Sequence, residues 1–311
     1  MSNTATSTPG PAAQRWHVIT QNPVMVKELR SRMRGRRAFV VLTVYLLVMS
    51  GLISLVYAAY ASAAGTPYGP DPSQAGKVVF SVVMGVQAFL VLFIGPAFTA
   101  GAITGEKERQ TYDLLRTTLL TPRWFVLGKL FSALSYILLL TVASIPLQSI
   151  AFLLGGLSFT ELIIGQLLLA VTAVAFALYG LYCSSTMRTT LAASVATFGG
   201  TLFIVVGLPL LILLVASVVG ATISIYAIDD LWEFVIIYGG MGLASINLPA
   251  TIIASALILI EEGRLFFFES RIGGHTVWIF SPWWVYTILY SILSFVLYSL
   301  CVRRVRRISD K

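Results

Sequence analysis

The chain has 311 residues, of which 57% are hydrophobic and 11% are charged, and its mean hydropathy is +0.87. Soluble domains carry about 25% charged residues, so this composition excludes an ordinary soluble protein. The net charge of +8 does not indicate nucleic-acid binding, because the positive-inside rule accounts for it. Of the 21 Lys and Arg residues, only Lys77, Arg264 and Arg271 lie outside the cell in a six-span topology with cytoplasmic termini.

The N-terminal region is predicted to contain a disordered tail and then a helix on the membrane surface. Residues 1–21 lack the apolar core of a signal peptide. Residues 22–37 begin with Asn22-Pro23, which is typical of a helix start, and carry an apolar stripe on one face. The other positions hold cations that suit anionic headgroups, notably Lys27, Arg30 and Arg34. The alternative is a plain basic flank of the first span.

Six almost uncharged segments are long enough to cross a bilayer, which requires about 20 apolar residues. They are 38–60, 78–104, 124–154, 162–183, 191–219 and 283–302. We therefore predict an all-α polytopic membrane protein with one transmembrane domain, 38–302, and a basic cytoplasmic tail, 303–311. Kinks are expected at Pro96 and near Gly207 and Pro209. Lys129, close to the start of the third span, is expected to extend toward the headgroups.

A further apolar run, 234–260, lies within the region 227–262. It is interrupted by Gly239, Gly240, Gly242, Asn247 and Pro249. If this run crossed the membrane, the basic C-terminal tail would lie outside, against the positive-inside rule. The pattern therefore favours a re-entrant helical hairpin that enters from the external side, with a full span as the alternative.

The sequence contains no recognisable signature of catalysis or metal binding. His17 and His275 stand apart, and no HExxH, CxxC, GxSxG or GxxxxGK[ST] pattern is present. The acidic pairs Asp229-Asp230 and Glu261-Glu262 are interpreted as solvated external groups. We predict that this chain is not an enzyme and binds no cofactor or metal itself.

Three glutamines, Gln87, Gln148 and Gln166, are the largest polar groups inside the predicted spans. An ion-coupled carrier usually places a carboxylate or a histidine along its pathway. The span interiors contain no carboxylate or histidine, which makes an ion-coupled carrier less favoured without excluding it.

The longest polar interruption between two spans is the segment 103–124. Glu106 and Glu108 would lie in the first turn of a helix, where negative charge is favourable. Thr121-Pro122 would end that helix and begin the next. We predict a short amphipathic cytoplasmic helix, 105–120, joined directly to two spans. The alternative is an ordinary charged loop.

The sequence GAITGEKERQTYDLLRTTLLTPRWFVLGKLFSAL resembles the segment between the second and third spans of type-2 ATP-binding-cassette permeases. That family pattern has ExER followed by Gly-Thr, a Leu-rich helix, Thr-Pro and a downstream Gly-Lys. The matching positions are Glu106, Glu108, Arg109, Thr111, Leu114, Leu115, Thr121, Pro122, Gly128 and Lys129. Two positions depart from the pattern, Gln110 where Gly is usual and Asp113 where Glu is common.

The resemblance implies a permease subunit of an exporter in the plasma membrane, paired with an identical or paralogous second copy. A separate cytosolic ATPase would bind ATP and Mg²⁺ and drive transport. The residues implied at the interface with that ATPase are Glu106, Lys107, Glu108, Arg109, Thr111, Leu114, Leu115, Thr121 and Pro122. The other functions weighed are an ion-gradient-driven carrier and, less favoured, an intramembrane enzyme that acts on lipid.

Overall fold

The computed structural model describes residues 36–64, 75–110, 121–155, 158–223, 230–261, 263–272 and 275–309. The protein is mostly helical. Within these ranges six helices are long and apolar enough to cross a membrane, which indicates a multi-pass membrane protein. They are Phe39–Ala64, Ala75–Glu108, Pro122–Leu153, Phe159–Thr186, Thr190–Val218 and Pro282–Arg306. The six predicted spans are therefore confirmed as membrane-length helices. The predicted tail, 1–21, and most of the surface helix, 22–37, lie outside the described residues.

The elements are numbered here in chain order. The helices are α1 (Arg36–Ala64), α2 (Ala75–Thr99), α3 (Thr104–Glu108), α4 (Pro122–Ala143), α5 (Ile145–Leu153), α6 (Phe159–Thr186), α7 (Thr190–Leu202), α8 (Leu208–Ile223), α9 (Asp230–Ala244), α10 (Leu248–Glu261) and α11 (Pro282–Ser309). A π-helical turn, Phe203–Gly207, joins α7 to α8. The strands are β1 (Phe267–Ile272) and β2 (His275–Phe280).

The two strands form an antiparallel hairpin in which Phe267 lies opposite Phe280 and Ile272 lies opposite His275. The prediction of an all-helical chain missed this hairpin. A signal for it exists in the sequence, because aromatic and β-branched residues flank Gly273-Gly274. The prediction from hydropathy missed the hairpin, because its strands are too short and too polar to be identified as a membrane span.

Helix α6 lies at the centre of the bundle and packs against α2, α4, α7 and α11. Its inward side chains are fully buried, among them Leu169, Ala177 and Leu181. The approach of α2 is so close that a Cβ at Gly180 would collide with the side chain of Thr99. Glycine at this position therefore allows two spans to pack almost backbone to backbone.

The fifth span, by contrast, has a narrow buried face. The buried residues of α7 are Ala193, Thr197 and Thr201, which recur every four residues on one side of the helix. The π-helical turn contributes no buried side chain, and many leucine and valine side chains of this span are exposed, including Leu191 and Leu214. This apolar surface needs lipid or protein to cover it.

The prolines in the spans have different consequences. Helix α2 continues through Pro96 to Thr99 as one helix, and the kink at Pro96 stays a prediction. The third span is divided at Ser144, which ends α4 and precedes Pro146 in the first turn of α5. A proline in a first turn is tolerated because the N–H that it lacks has no partner there.

The helix of the fifth span is irregular near the predicted kink at Gly207 and Pro209, where the π-helical turn Phe203–Gly207 precedes α8. Pro209 has no N–H, so the carbonyl of Val205 lacks the donor that a regular helix would supply. The side chain of Asn247 replaces it, since Nδ2 donates to Val205 O at 2.9 Å and to Ile204 O at 3.2 Å. Such a carbonyl without a donor costs several kcal/mol in a membrane, on the order of the penalty for burying an unpaired amide.

The turn that carries Asn247 joins α9 to α10 and is buried in the protein. Asn247 Oδ1 accepts from Ala250 N at 3.2 Å, which caps the start of α10. The hydroxyl of Tyr290 on α11 donates to Ile246 O at 2.7 Å. Ser245 in the same turn is also buried. The turn is thus held by both the fifth and the last spans.

We expect Asn247→Asp to lower the thermal stability of the purified protein. Aspartate keeps an acceptor for Ala250 N–H but loses the donor to the two carbonyls, at a cost of about 1–3 kcal/mol. Adding Pro209→Ala should recover part of the loss, because alanine restores an N–H one turn after Val205. Scanning fluorimetry in detergent measures both variants. A double variant no more stable than Asn247→Asp alone would show that Asn247 does not compensate for Pro209.

Candidate functional site

The polar segment after the second span begins with the short helix α3. The backbone N–H groups of Ile103 and Thr104 donate to Ser184 Oγ at 2.9 Å and 3.1 Å. Ser184 lies in the last turn of α6. The first N–H groups of a helix have no partner within it, and Ser184 satisfies two such donors. The start of α3 is therefore bound to the end of α6.

Glu106 connects α3 to α4 through an ion pair. Lys129 Nζ donates to Glu106 Oε1 at 2.5 Å, and the two side chains are 7% and 22% exposed. The ammonium also lies 5.8 Å from the centre of the Phe125 ring. The prediction that Lys129 extends toward the headgroups is wrong. A carboxylate within reach holds the ammonium inside the protein, so the side chain has no need to reach water.

The next two charged residues bind the connection between α6 and α7. Lys107 Nζ donates to Ser185 O at 2.9 Å. The carboxylate of Glu108 accepts from Thr190 N and from Thr190 Oγ1, both at 2.6 Å. Thr190 is the first residue of α7, where a negative charge is favourable. Glu106, Lys107 and Glu108 are thus brought together, and their charged groups contact neighbouring parts of this chain.

The predicted continuous helix does not extend from Glu106 through the segment. Helix α3 already ends at Glu108, and Gln110 adopts a φ of 56°, the left-handed conformation. That conformation favours glycine, the residue usual at this position in the resembled pattern. Three predicted interface residues, Thr111, Leu114 and Leu115, lie outside the described residues, as do Lys27, Arg30 and Arg34 of the predicted surface helix.

The structure describes the segment again from Thr121 onward. Thr121 is extended, with φ −70° and ψ 146°, and Pro122 is the first residue of α4. The prediction that this pair begins the next helix is confirmed. Thr121 and Pro122 line a wide groove together with Arg123, Arg303 and Arg306, between the start of α4 and the end of α11. The groove gives this end of the protein a strongly basic surface.

Arg109 differs from its three charged neighbours. The Arg109 side chain is exposed and forms no hydrogen bond or ion pair within the described ranges. Of the four consecutive charged residues, Arg109 is therefore the one whose charge faces solvent without an internal role.

A second polar feature lies inside the bundle, where the three glutamines noted in the sequence form one chain of hydrogen bonds. Gln166 Nε2 donates to Gln148 Oε1 at 2.7 Å, and Gln148 Nε2 donates to Gln87 Oε1 at 2.8 Å. Gln87 Nε2 in turn donates to Ser144 Oγ. These hydrogen bonds join α6, α5 and α2 to the break between α4 and α5. Because the amides satisfy one another, this cluster fixes helix packing.

The described part of the chain contains no group of three or more His, Cys, Asp or Glu residues placed to hold a metal ion. Cys183 and Cys301 are buried and are not joined by a disulfide. Of the residues considered in the sequence for metal or acid chemistry, His17, Asp229 and Glu262 lie outside the described ranges.

Comparison with known proteins adds no assignment to this geometry. No family model matches the chain, and no curated protein matches it. The functional argument therefore rests on the polar segment and on the contacts of α3.

We expect Lys129→Met to destabilise the protein by about 2 kcal/mol, because it removes the Lys129 ammonium from the partly buried Glu106 carboxylate. The double variant Glu106→Gln/Lys129→Met should recover much of that loss, since both charges of the ion pair are then removed together. Thermal unfolding of the two single variants and the double variant forms a mutant cycle. Strictly additive losses would contradict a direct interaction between the two side chains.

The left-handed conformation of Gln110 provides a separate test. Gln110→Gly should be at least as stable as the parent, and Gln110→Val should be less stable by about 1 kcal/mol or more, because a β-branched residue is strained at positive φ. Arg109→Val is the matched control, since Arg109 has a φ of −83°. Equal losses at the two positions, measured by thermal unfolding, would count against the left-handed turn.

Proposed function

We propose that this protein is the transmembrane subunit of a type-2 ATP-binding-cassette transporter and is driven by a separate cytosolic ATPase. The observation that carries the proposal is the match of the segment Gly101–Leu134 to the family pattern, including Glu106, Glu108, Arg109 and Thr121-Pro122. Six membrane-length helices are consistent with this class of permease. ATP and Mg²⁺ would be bound by the partner ATPase, and the direction of transport would be export.

The contacts of α3 support a mechanical role for the segment. Helix α3 follows α2 directly, and its charged side chains bind Lys129 on α4, Ser185 in α6 and Thr190 in α7. A displacement of α3 by a bound ATPase would therefore be passed to four spans at once. In the proposed cycle, closure of the ATPase on ATP pushes on this segment and changes the access of the pathway across the membrane.

The same contacts divide the predicted interface residues into two groups. Glu106, Lys107 and Glu108 position the segment, because their charged groups are engaged within the chain. The surface offered to the ATPase then consists of Arg109, Thr111, Leu114, Leu115, Thr121 and Pro122. In this proposal the first group transmits force and the second group receives it.

The region before the last span is proposed to be a re-entrant hairpin formed by α9 and α10. These helices have 15 and 14 residues. At 1.5 Å per residue each is about 20 Å long, short of the ~30 Å hydrocarbon core. Their joining turn is buried against other helices, where irregular backbone is tolerated at membrane depth. Entry from outside keeps both termini and the cations of the tail 303–311 in the cytoplasm.

The remaining parts of the proposal concern the assembly. A second permease copy, identical or paralogous, would complete the pathway. The exposed apolar side chains of the fifth span, such as Leu191, Leu211 and Leu214, provide a surface that a second subunit or lipid can cover. The basic segment 22–37, with Lys27, Arg30 and Arg34, would lie on the inner leaflet of the plasma membrane.

The direct test is co-purification with a P-loop ATPase, sought first among the products of neighbouring genes. We expect Arg109→Glu to reduce the recovered ATPase by about tenfold, on the order of one lost charge-assisted contact. Its thermal stability should not change, because the Arg109 side chain forms no hydrogen bond or ion pair within the described ranges. Arg264→Glu, an exposed charge reversal between α10 and β1 and far from the segment in the proposed topology, is the matched control and should retain the ATPase.

Two results would overturn the proposal. One is a wild-type protein that recovers no ATPase. The other is transport into proteoliposomes that needs an ion gradient and no ATPase, which would establish a stand-alone carrier. Charge reversal at Glu106 is a poorer test, since it would break the ion pair with Lys129 and destabilise the segment itself.

A further inference from the structure

A groove between α2, α6 and α10 has features of a built binding site. It is shallow, with a cavity volume of about 60 Å³, and most of its lining is apolar, including Phe80, Leu168 and Ile252. Seven residues separate the first and last lining positions on each helix. At 1.5 Å per residue the groove is therefore about 10 Å long. Two of its three walls, α2 and α6, belong to membrane-length helices, so lipid is the expected neighbour of its apolar part.

One end of the groove carries two opposite charges. Lys77 is in the first turn of α2, and Glu161 is in the first turn of α6. The two residues form no ion pair with each other in the described part of the chain. Glu161 Oε2 accepts from Ser158 N at 2.6 Å in a capping box, which leaves Oε1 as a further acceptor. The mouth therefore offers both an ammonium and a carboxylate oxygen.

A third polar group lies deeper in the groove. Ser255 on α10 is one helical turn before Leu259, the last lining residue of that helix. Its side chain is only 8% exposed, and Oγ has no hydrogen-bond partner among the described residues. Serine hydroxyls in membrane helices usually bond to a carbonyl one turn earlier, as Ser294 does with Tyr290 O. A buried hydroxyl without a partner is costly and indicates a missing acceptor.

We propose that this groove binds a phospholipid whose headgroup contains both a phosphate and a primary ammonium. Lys77 pairs with the phosphate, and Glu161 accepts from the ammonium. The Ser255 hydroxyl, about one turn deeper, donates to an ester carbonyl, and part of an acyl chain lies along the apolar remainder. The order of groups along the groove, charged, then hydroxyl, then apolar, is the order of groups along such a lipid. The site is independent of the ATPase partner.

The test is native mass spectrometry of the full-length protein, titrated with phosphatidylethanolamine, phosphatidylcholine and phosphatidylglycerol of equal chain length. The wild type should bind one phosphatidylethanolamine more tightly than either other lipid. Ala256→Phe, which fills the groove, should weaken that binding by about tenfold or more. Leu257→Phe, on the exposed face of the same helix, is the matched control and should bind as the wild type does.

Two milder variants separate the headgroup contacts. Glu161→Gln keeps the capping box, because glutamine serves there as well, and should remove the preference for phosphatidylethanolamine over phosphatidylcholine. Lys77→Gln should weaken the binding of all three lipids. Equal binding of phosphatidylethanolamine by wild type and Ala256→Phe would overturn the site. Equal binding of phosphatidylglycerol and phosphatidylethanolamine by the wild type would overturn the assigned headgroup. Neither result depends on the transporter proposal, since no ATPase is present.

Discussion

Polar groups inside an apolar chain need partners on neighbouring helices, and this constraint accounts for the contacts that hold the structure together. Asn247 supplies a donor that Pro209 removes from the fifth span. Gln148 joins α5 to the glutamines of α2 and α6. Glu106 and Lys129 neutralise each other between α3 and α4. Apolar packing alone distinguishes poorly between protein and lipid, so these polar contacts specify which helices meet.

The constraint also explains how, in the proposed function, the segment 103–124 would act on the membrane-length helices. A charged loop on the surface would move freely and transmit little force. Helix α3 instead contacts Ser184 through its backbone and Thr190 through Glu108, in addition to its ion pair with α4. A partner that binds the residues after Arg109 would therefore act on a unit of several spans. In the proposed function that partner is an ATPase, and the contacts of α3 are the physical route by which it would act.

Features that depend on local sequence were predictable, and features that depend on a distant partner were not. Hydropathy and length gave the six spans, and Thr121-Pro122 gave the start of α4, because both are local signals. The position of Lys129 could not be predicted from its own surroundings, since it depends on a carboxylate 23 residues earlier. Likewise, the sequence identified Gln87 as a polar residue in a span without showing which side chains it meets. The β-hairpin was predictable in principle from its glycine pair and its flanking β-formers.

Hydrogen exchange tests the central claim most directly, because it reports on both the partner contact and its transmission. Backbone amides would be followed in the protein alone, with the co-purified ATPase, and with ATPase and ATP. The account predicts slower exchange in residues 109–120 when the ATPase binds. It further predicts an ATP-dependent change in residues 184–190, which α3 contacts through Ser184 and Thr190. Exchange unchanged in both regions would contradict the account.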